Sequence, residues 1–256
     1  MKVNESIAVV TGGASGLGEA TVTNIVESGG KAAIFDLSEE LGAAVVERLG
    51  SENVLFVKTD VTSEEEVTAA LNETIEKFGS FNTVVNCAGI GPAEKVVGRE
   101  GVHDLSNFNK IIQVNLVGTF NVIRLAAQRM ISNTPNHEDE RGVIINTASV
   151  AAFDGQIGQS AYSASKGGVV GMTLPIAREF ARHGIRVMTI APGLIETPLF
   201  NSLPDKARDA LGKMVPFPPR LGFPSEYAML AKSIIENPLL NGETIRLDGA
   251  IRMQPK

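Results

Sequence analysis

Seven short apolar runs, rich in β-branched residues and separated by helix-like patterns, constrain this chain more than any other feature. Strand–helix alternation from end to end predicts a parallel sheet, because parallel neighbours need crossover connections and the crossing helices cover both faces. The runs place strands at 7–11, 32–36, 54–58, 83–86, 143–147, 186–190 and 244–247, with helices between them. No repeat, low-complexity tract or linker interrupts the pattern, so residues 1–256 are expected to form one doubly wound α/β domain.

The first run leads into TGGASGLG, Thr11 to Gly18, and then into the helical pattern EATVTNIVESG. A glycine-rich turn between strand and helix lets main-chain N–H groups and a helix N-terminus approach a pyrophosphate. Gly12 is expected to make the turn, Gly16 to allow close approach and Gly18 to let the helix pack on the sheet. That setting makes the predicted fold Rossmann-type. Eighteen residues after Gly18, Asp36 closes the second run, AAIFD. A carboxylate there accepts from both ribose hydroxyls of an adenosine and repels a 2′-phosphate. Neutral Ser15 and Leu37 stand where a cation would favour that phosphate, so the expected cofactor is NAD rather than NADP. Asp60 and Val61 follow the third run, and NCAG, Asn86 to Gly89, follows the fourth. Both lie at carboxyl ends of strands, where open α/β sheets bind ligands. Asp60 also reads as a cap before the helix TSEEEV.

After the fifth run comes SVAAFDGQIGQSAYSASK, with Ser149, then Tyr162 thirteen residues on, then Lys166 four further. Residues four apart share a helix face, so Tyr162 and Lys166 are expected to point the same way. A free phenol, with a pKa of about 10, is a poor proton donor or acceptor at neutral pH. A neighbouring ammonium is expected to pull it down toward the working range. Ser149 would hydrogen-bond the oxygen whose charge changes. The other tyrosine, Tyr227, lies in the amphipathic pattern SEYAMLAKSII, which leaves Tyr162 as the candidate catalytic phenol.

The acidic balance, net charge −6 and pI about 5.2, argues against a large nucleic-acid footprint. The single cysteine, Cys87, precludes an internal disulfide and fits a reducing compartment. It reads as a small buried apolar residue. His103, His137 and His183 have no metal-ligand spacing, so no metal is expected. Nothing approaches the roughly 18 uninterrupted apolar residues of a transmembrane helix. The chain enters strand-like IAVVTG almost at once, without a recognisable leader, so a cytoplasmic location is expected.

Taken together, these motifs resemble the short-chain dehydrogenase/reductase family over essentially the whole chain. The family's T-G-x-x-x-G-x-G is TGGASGLG here, and its N-N-A-G is NCAG, with Cys87 in place of the second Asn. Its Ser, Tyr and Lys match Ser149, Tyr162 and Lys166, and its helix Asn matches Asn115 in QVNLVGTF. Its post-strand P-G is Pro192–Gly193, with Thr197 at the place that usually touches the nicotinamide amide.

The resemblance implies a catalytic set of Ser149, Tyr162, Lys166 and Asn115, the last holding a water that links Lys166 to solvent. It implies NAD contacts from Gly12, Ser15, Gly16, Leu17, Gly18, Asp36, Leu37, Asp60, Val61, Asn86, Ala88, Gly89, Tyr162, Lys166, Pro192, Gly193 and Thr197. Longer stretches, among them the loop NTPNHEDERG and the tail NGETIRLDGAIRMQP, resemble a subgroup acting on 3-hydroxyacyl-CoA thioesters, members of which are also described as steroid dehydrogenases. That likeness implies substrate contacts from Ser149, Gln159, Tyr162 and Leu199, and a homotetramer.

The segment at about 194–222 reads as a substrate lid. Leu194, Leu199, Phe200, Leu203, Leu211, Met214 and Phe217 offer an apolar wall, with prolines at 216, 218 and 219. Lys95, Arg99, Lys206, Arg208 and Lys213 lie in segments that would meet an anionic coenzyme A tail. The expected function is therefore NAD-dependent interconversion of 3-hydroxyacyl- and 3-oxoacyl-CoA. The alternatives are a steroid or other secondary alcohol as substrate and, from another class, an NAD-binding scaffold.

Overall fold

A computed structural model describes residues 1–99, 101–197 and 205–255. Its seven strands are β1 (Ile7–Thr11), β2 (Lys31–Asp36), β3 (Val54–Lys58), β4 (Thr83–Asn86), β5 (Gly142–Thr147), β6 (Ile185–Pro192) and β7 (Thr244–Leu247). All pair in parallel in one sheet of order β3-β2-β1-β4-β5-β6-β7. The predicted strands are those observed, with short extensions. β6 runs two residues past the predicted end because Ala191 and Pro192 pair with Arg246 and Leu247 of β7.

The helices are α1 (Gly16–Glu27), α2 (Glu39–Leu49), α3 (Glu64–Phe78), α4 (Leu105–Ile112), α5 (Thr119–Met130), α6 (Ser160–Ala181), α7 (Asp205–Gly212) and α8 (Pro224–Glu236). Ser38 and Ser63 cap α2 and α3 by accepting from Leu41 N and Glu66 N. Strands β4, β5 and β6 are buried at every position, which is why their sequences read as unbroken apolar runs instead of alternating. One core layer joins Val10, Ile34 and Ile145 of the sheet to Val22 and Ile25 of α1 and Ile234 of α8. The opposite layer joins Val9, Phe35 and Ile144 to Leu71 of α3 and Ile123 and Met130 of α5. Each such side chain contributes about 1.5–3 kcal/mol by burial.

Arg186, within β6, is buried beside an equally buried Glu140, with Nε 2.8 Å from Glu140 Oε1. Its other nitrogens donate to the carbonyls of Ile234, Ile235 and Leu240, so the guanidinium is paired rather than stranded. This ties the loop before β5 to the end of α8.

Strand order turns back on itself between β1 and β4, and a doubly wound sheet opens its ligand crevice at that point. Thr11 is in register with Asn86 there, so the turns after β1 and β4 lie side by side.

Candidate active site

The glycine loop and NCAG fit together through missing side chains. Gly12 has φ +63°, and a Cβ on it would stand 2.8 Å from Ala88 N. Thr11 Oγ1 accepts from Ala88 N at 3.2 Å, locking the two turns. A Cβ on Gly18 would stand 2.1 Å from Gly12 O, so only glycine lets α1 begin this close under the loop. Ser15, the N-cap of α1, makes no side-chain cap, so its hydroxyl is left to the loop side. Asp36 Oδ2 accepts from Ala14 N and Oδ1 from Ser38 N, both at 3.1 Å. The carboxylate therefore faces the glycine loop from the end of β2, with Leu37 exposed beside it. A close main-chain cradle at a helix N-terminus with an acid at the next strand end fits a dinucleotide.

The other predicted contacts are placed less uniformly. Asp60 accepts from Thr62 N at 2.9 Å and Thr62 Oγ1 at 2.8 Å, so one oxygen serves the turn before α3. Val61 is buried, and its carbonyl accepts from Asn121 Nδ2. Asn86 Nδ2 donates to Asn146 Oδ1 at 2.9 Å across neighbouring strands. Pro192 ends β6, and Gly193 N donates to Leu247 O. Thr197 and Gly16 line opposite sides of a cleft of about 590 Å³ between α1 and α8.

Ser149, Tyr162 and Lys166 converge at the end of β5. Ser149 lies two residues past that strand, and Tyr162 and Lys166 lie one turn apart on α6. Lys166 Nζ is 5.8 Å from the Tyr162 ring centroid and donates to Thr147 O at 2.8 Å. Lys166 is only 5% exposed, and burial lowers its pKa to about 8. Tyr162 differs from expectation: burial pushes its phenol up, and the Ser149 hydroxyl opposes that shift. The expected downward pull of Lys166 does not appear: the ammonium is directed at Thr147 O, and desolvation of the phenol sets the direction.

The lysine shift has a consequence for stability. Between pH about 8 and 10.5 the unfolded chain holds a proton at Lys166 that the folded chain has released, so stability rises with pH there. Below pH about 8 both states are protonated and the burial penalty stands in full. The stability of the wild type relative to Lys166→Met should therefore rise across this window, by up to about 3 kcal/mol. Urea unfolding of both proteins at several pH values checks it; a pH-independent difference would contradict a buried, depressed lysine.

Asn115 sits in a π-helical turn, Gln113–Gly118, between α4 and α5. Such a widened turn re-aims a side chain inward, and Asn115 is fully buried. Its Oδ1 accepts from Ile90 N and its Nδ2 donates to Ile90 O, both at 2.8 Å, and to Ser165 Oγ at 3.1 Å. With the amide spent in this way, the side chain clamps the loop after NCAG. That loop covers the pair: Cβ atoms on Gly89 and Gly91 would lie 3.4 Å from Lys166 Nζ and 3.3 Å from Tyr162 Cε2.

The sequence motifs do not point to Ile90, Gly91, Ser165 or the Thr147 carbonyl. Three act through main chain, which leaves no residue-type signal; Ser165 lies inside YSASK.

Gln159 lines a second cleft, of about 560 Å³, with Lys95, Val96, Phe153, Gln156 and Ile157. Its Oε1 accepts from Gln156 N at 3.0 Å. The predicted contact Leu199, with Phe200 and Leu203 of the apolar wall, lies outside the described residues. Phe217, expected in that wall, is 79% exposed, while Val215 is buried instead. Arg208 pairs with Glu196 at 3.0 Å.

The sequence profile of the short chain dehydrogenase family matches residues 6–208. The chain is 58% identical over 251 residues to 3-hydroxyacyl-CoA dehydrogenase type-2 of Rattus norvegicus, covering 97% of this chain and 96% of that one. To the protein of the same name from Homo sapiens it is 59% identical, with the same coverage. A crystal structure of 3-hydroxyacyl-CoA dehydrogenase type-2 from Mycobacterium avium superposes with a TM-score of 0.95 at 42% identity, covering 100% of both chains. With a parallel sheet of this order and the Ser149, Tyr162 and Lys166 side chains at its carboxyl edge, the chain belongs to the short-chain dehydrogenase family.

Proposed function

We propose that this protein catalyses reversible hydride transfer between NAD and the 3-hydroxyl or 3-oxo carbon of an acyl-CoA. The observation that carries the reaction type is the meeting of buried Lys166 with half-buried Tyr162 and Ser149 at the carboxyl edge of the sheet. Family membership makes the chain an oxidoreductase and implies a nicotinamide cofactor. The choice of NAD is supported by Asp36, whose carboxylate faces the loop with neutral Ser15 and Leu37 as neighbours. The acyl-CoA reading draws on the names of the two mammalian relatives and on Lys95 beside the Gln159 cleft.

The glycine loop, Asp36, Asn86 to Gly89, Pro192, Gly193 and Thr197 would hold the cofactor, which supplies or accepts the hydride when bound. In oxidation Tyr162, as phenolate, takes the proton from the alcohol oxygen; in reduction its Oη returns it. The Ser149 hydroxyl donates to the substrate oxygen and stabilises its developing charge. Below pH about 8 Lys166 keeps a positive charge near the phenol. Because burial holds Tyr162 up, the phenol keeps its proton at neutral pH, which favours reduction, and oxidation gains as pH rises. Asn115 keeps the 89–91 loop closed over both side chains. Gln159 has its amide nitrogen available for the substrate.

The segment at about 194–222 would serve as the lid. Its ends are joined by Glu196 N to Gly222 O and Gly222 N to Leu194 O, both at 2.8 Å, which fixes the neck of the segment. A homotetramer would cover Val117 of the π-helical turn, Phe120 at the start of α5 and Leu174 of α6, which stand exposed. A light-scattering mass of one chain would refute it.

The substrate reading is tested by oxidising 3-hydroxybutyryl-CoA and simple secondary alcohols with NAD. Strong preference for the thioester supports it. Equal rates, or preference for a hydroxysteroid, would transfer the assignment to a general alcohol dehydrogenase; tight NADH binding without product from any of them would favour a scaffold.

A further inference from the structure

Resting on the reading of Lys166 above, we propose that Tyr227 is a positioning residue for that lysine, acting through Thr147. Tyr227 lies on α8 and is fully buried. Its hydroxyl is 2.7 Å from Thr147 Oγ1. Cys87 Sγ donates to Tyr227 Oη at 3.7 Å, and Thr147 Oγ1 donates to Cys87 Sγ at 3.6 Å. Either hydroxyl of the Tyr227–Thr147 pair could donate, and Tyr227 donating to Thr147 Oγ1 is the sense that runs with those two bonds. The three side chains thus close a ring in which each donates once and accepts once. No buried polar atom in it is left over.

The ring joins three elements at the carboxyl edge of the sheet. Cys87 follows β4, Thr147 ends β5, and Tyr227 comes from the first turn of α8, just beyond the 194–222 segment. Thr147 is also the residue whose carbonyl accepts from Lys166 Nζ at 2.8 Å. A single residue therefore separates the ring from the ammonium. The neighbours of Tyr227 on α8 that face the core are Ala228, Ala231, Ile234 and Ile235, so a phenylalanine would satisfy packing alone. A hydroxyl there needs a polar purpose, since burying one without partners is costly. Burial pushes both the Tyr227 phenol and the Cys87 thiol up, which keeps them neutral and able to donate. Cys87 is part of this arrangement because a thiol reaches both hydroxyls; the sequence reading of it as a plain apolar residue is incomplete.

The titratable groups around Lys166 are Tyr162 on its own helix, Cys87 beyond β4, and Tyr227 on α8 at one remove. Removing the Tyr227 hydroxyl strips Thr147 Oγ1 of its donor and loosens the β5 end that presents the carbonyl. The ammonium loses part of a charge-assisted hydrogen bond, so the lysine should release its proton at lower pH.

The experiment is an NMR titration of cofactor-free protein labelled at the lysine ε-carbon, with the Lys166 signal assigned by its absence in Lys166→Met. In Tyr227→Phe the Lys166 midpoint is expected to fall by about one pH unit. The pH profile of kcat should move by the same amount while KM for the acyl-CoA stays put. Thr147→Val, which keeps the carbonyl and removes the ring hydroxyl, is expected to give the same displacement and replaces Tyr227→Phe if that variant does not fold. An unmoved Lys166 midpoint in the folded variant, even with a lower Tm, would overturn the proposal and leave Tyr227 as packing. The titration needs no turnover, so a wild type inactive on acyl-CoA would refute the substrate reading and leave this test standing.

Discussion

Replacing Tyr162 by Phe is expected to lower kcat for 3-oxoacyl-CoA reduction by about 10³-fold, within the usual range for loss of a general acid. The ring and its packing under Gly91 survive the change; the proton at Oη does not. Nothing else nearby can supply that proton as well. Lys166 is directed at Thr147 O, the aliphatic hydroxyl of Ser149 is far less acidic than a phenol and donates a hydrogen bond without giving up its proton, and the other phenol, Tyr227, is buried in its own ring of hydrogen bonds. NADH affinity, followed by fluorescence quenching, should change little. Near-normal turnover in Tyr162→Phe would sink the assignment of the proton to this phenol.

Replacing Asp36 by Ala is expected to raise KM for NADH by about 10- to 100-fold, the equivalent of one or two hydrogen bonds to a charged group. The same variant should lose much of its discrimination against NADPH, since the charge that repels a 2′-phosphate is gone. Part of the loss will come from the loop itself, because Asp36 also holds Ala14 N and Ser38 N. Initial rates with both cofactors separate the two contributions: a loosened loop weakens NADH and NADPH alike, whereas removal of a discriminating charge weakens NADH alone. A variant with unchanged KM and unchanged preference would mean that Asp36 serves only the loop.

Most of the fold was legible because a parallel sheet buries both faces of its strands, and continuous apolar runs such as VVN and GVIINT announce that burial. The glycine loop was legible because its geometry excludes a Cβ at Gly12 and Gly18. What residue types do not encode was missed. The Thr147 carbonyl and the Ile90 main chain carry no side-chain signature, and the π-helical turn that buries Asn115 follows from packing between α4, α5 and the 89–91 loop. The direction of the Tyr162 shift is not legible in the sequence, because spacing shows that a lysine is near but not how far each group is desolvated. Phe217 was assigned to the apolar wall on hydrophobicity alone, and its chain turns it outward. Tyr227 read as ordinary amphipathic packing because its partners, Thr147 and Cys87, are 80 and 140 residues away in sequence.

The most direct test of the central claim is the initial rate of acetoacetyl-CoA reduction, measured with NADH and NADPH side by side. Fast turnover with NADH and little with NADPH is the predicted result. Turnover with NADPH at a comparable rate would contradict the role given to Asp36. No turnover with either, alongside reduction of a steroid or simple ketone, would contradict the acyl-CoA assignment.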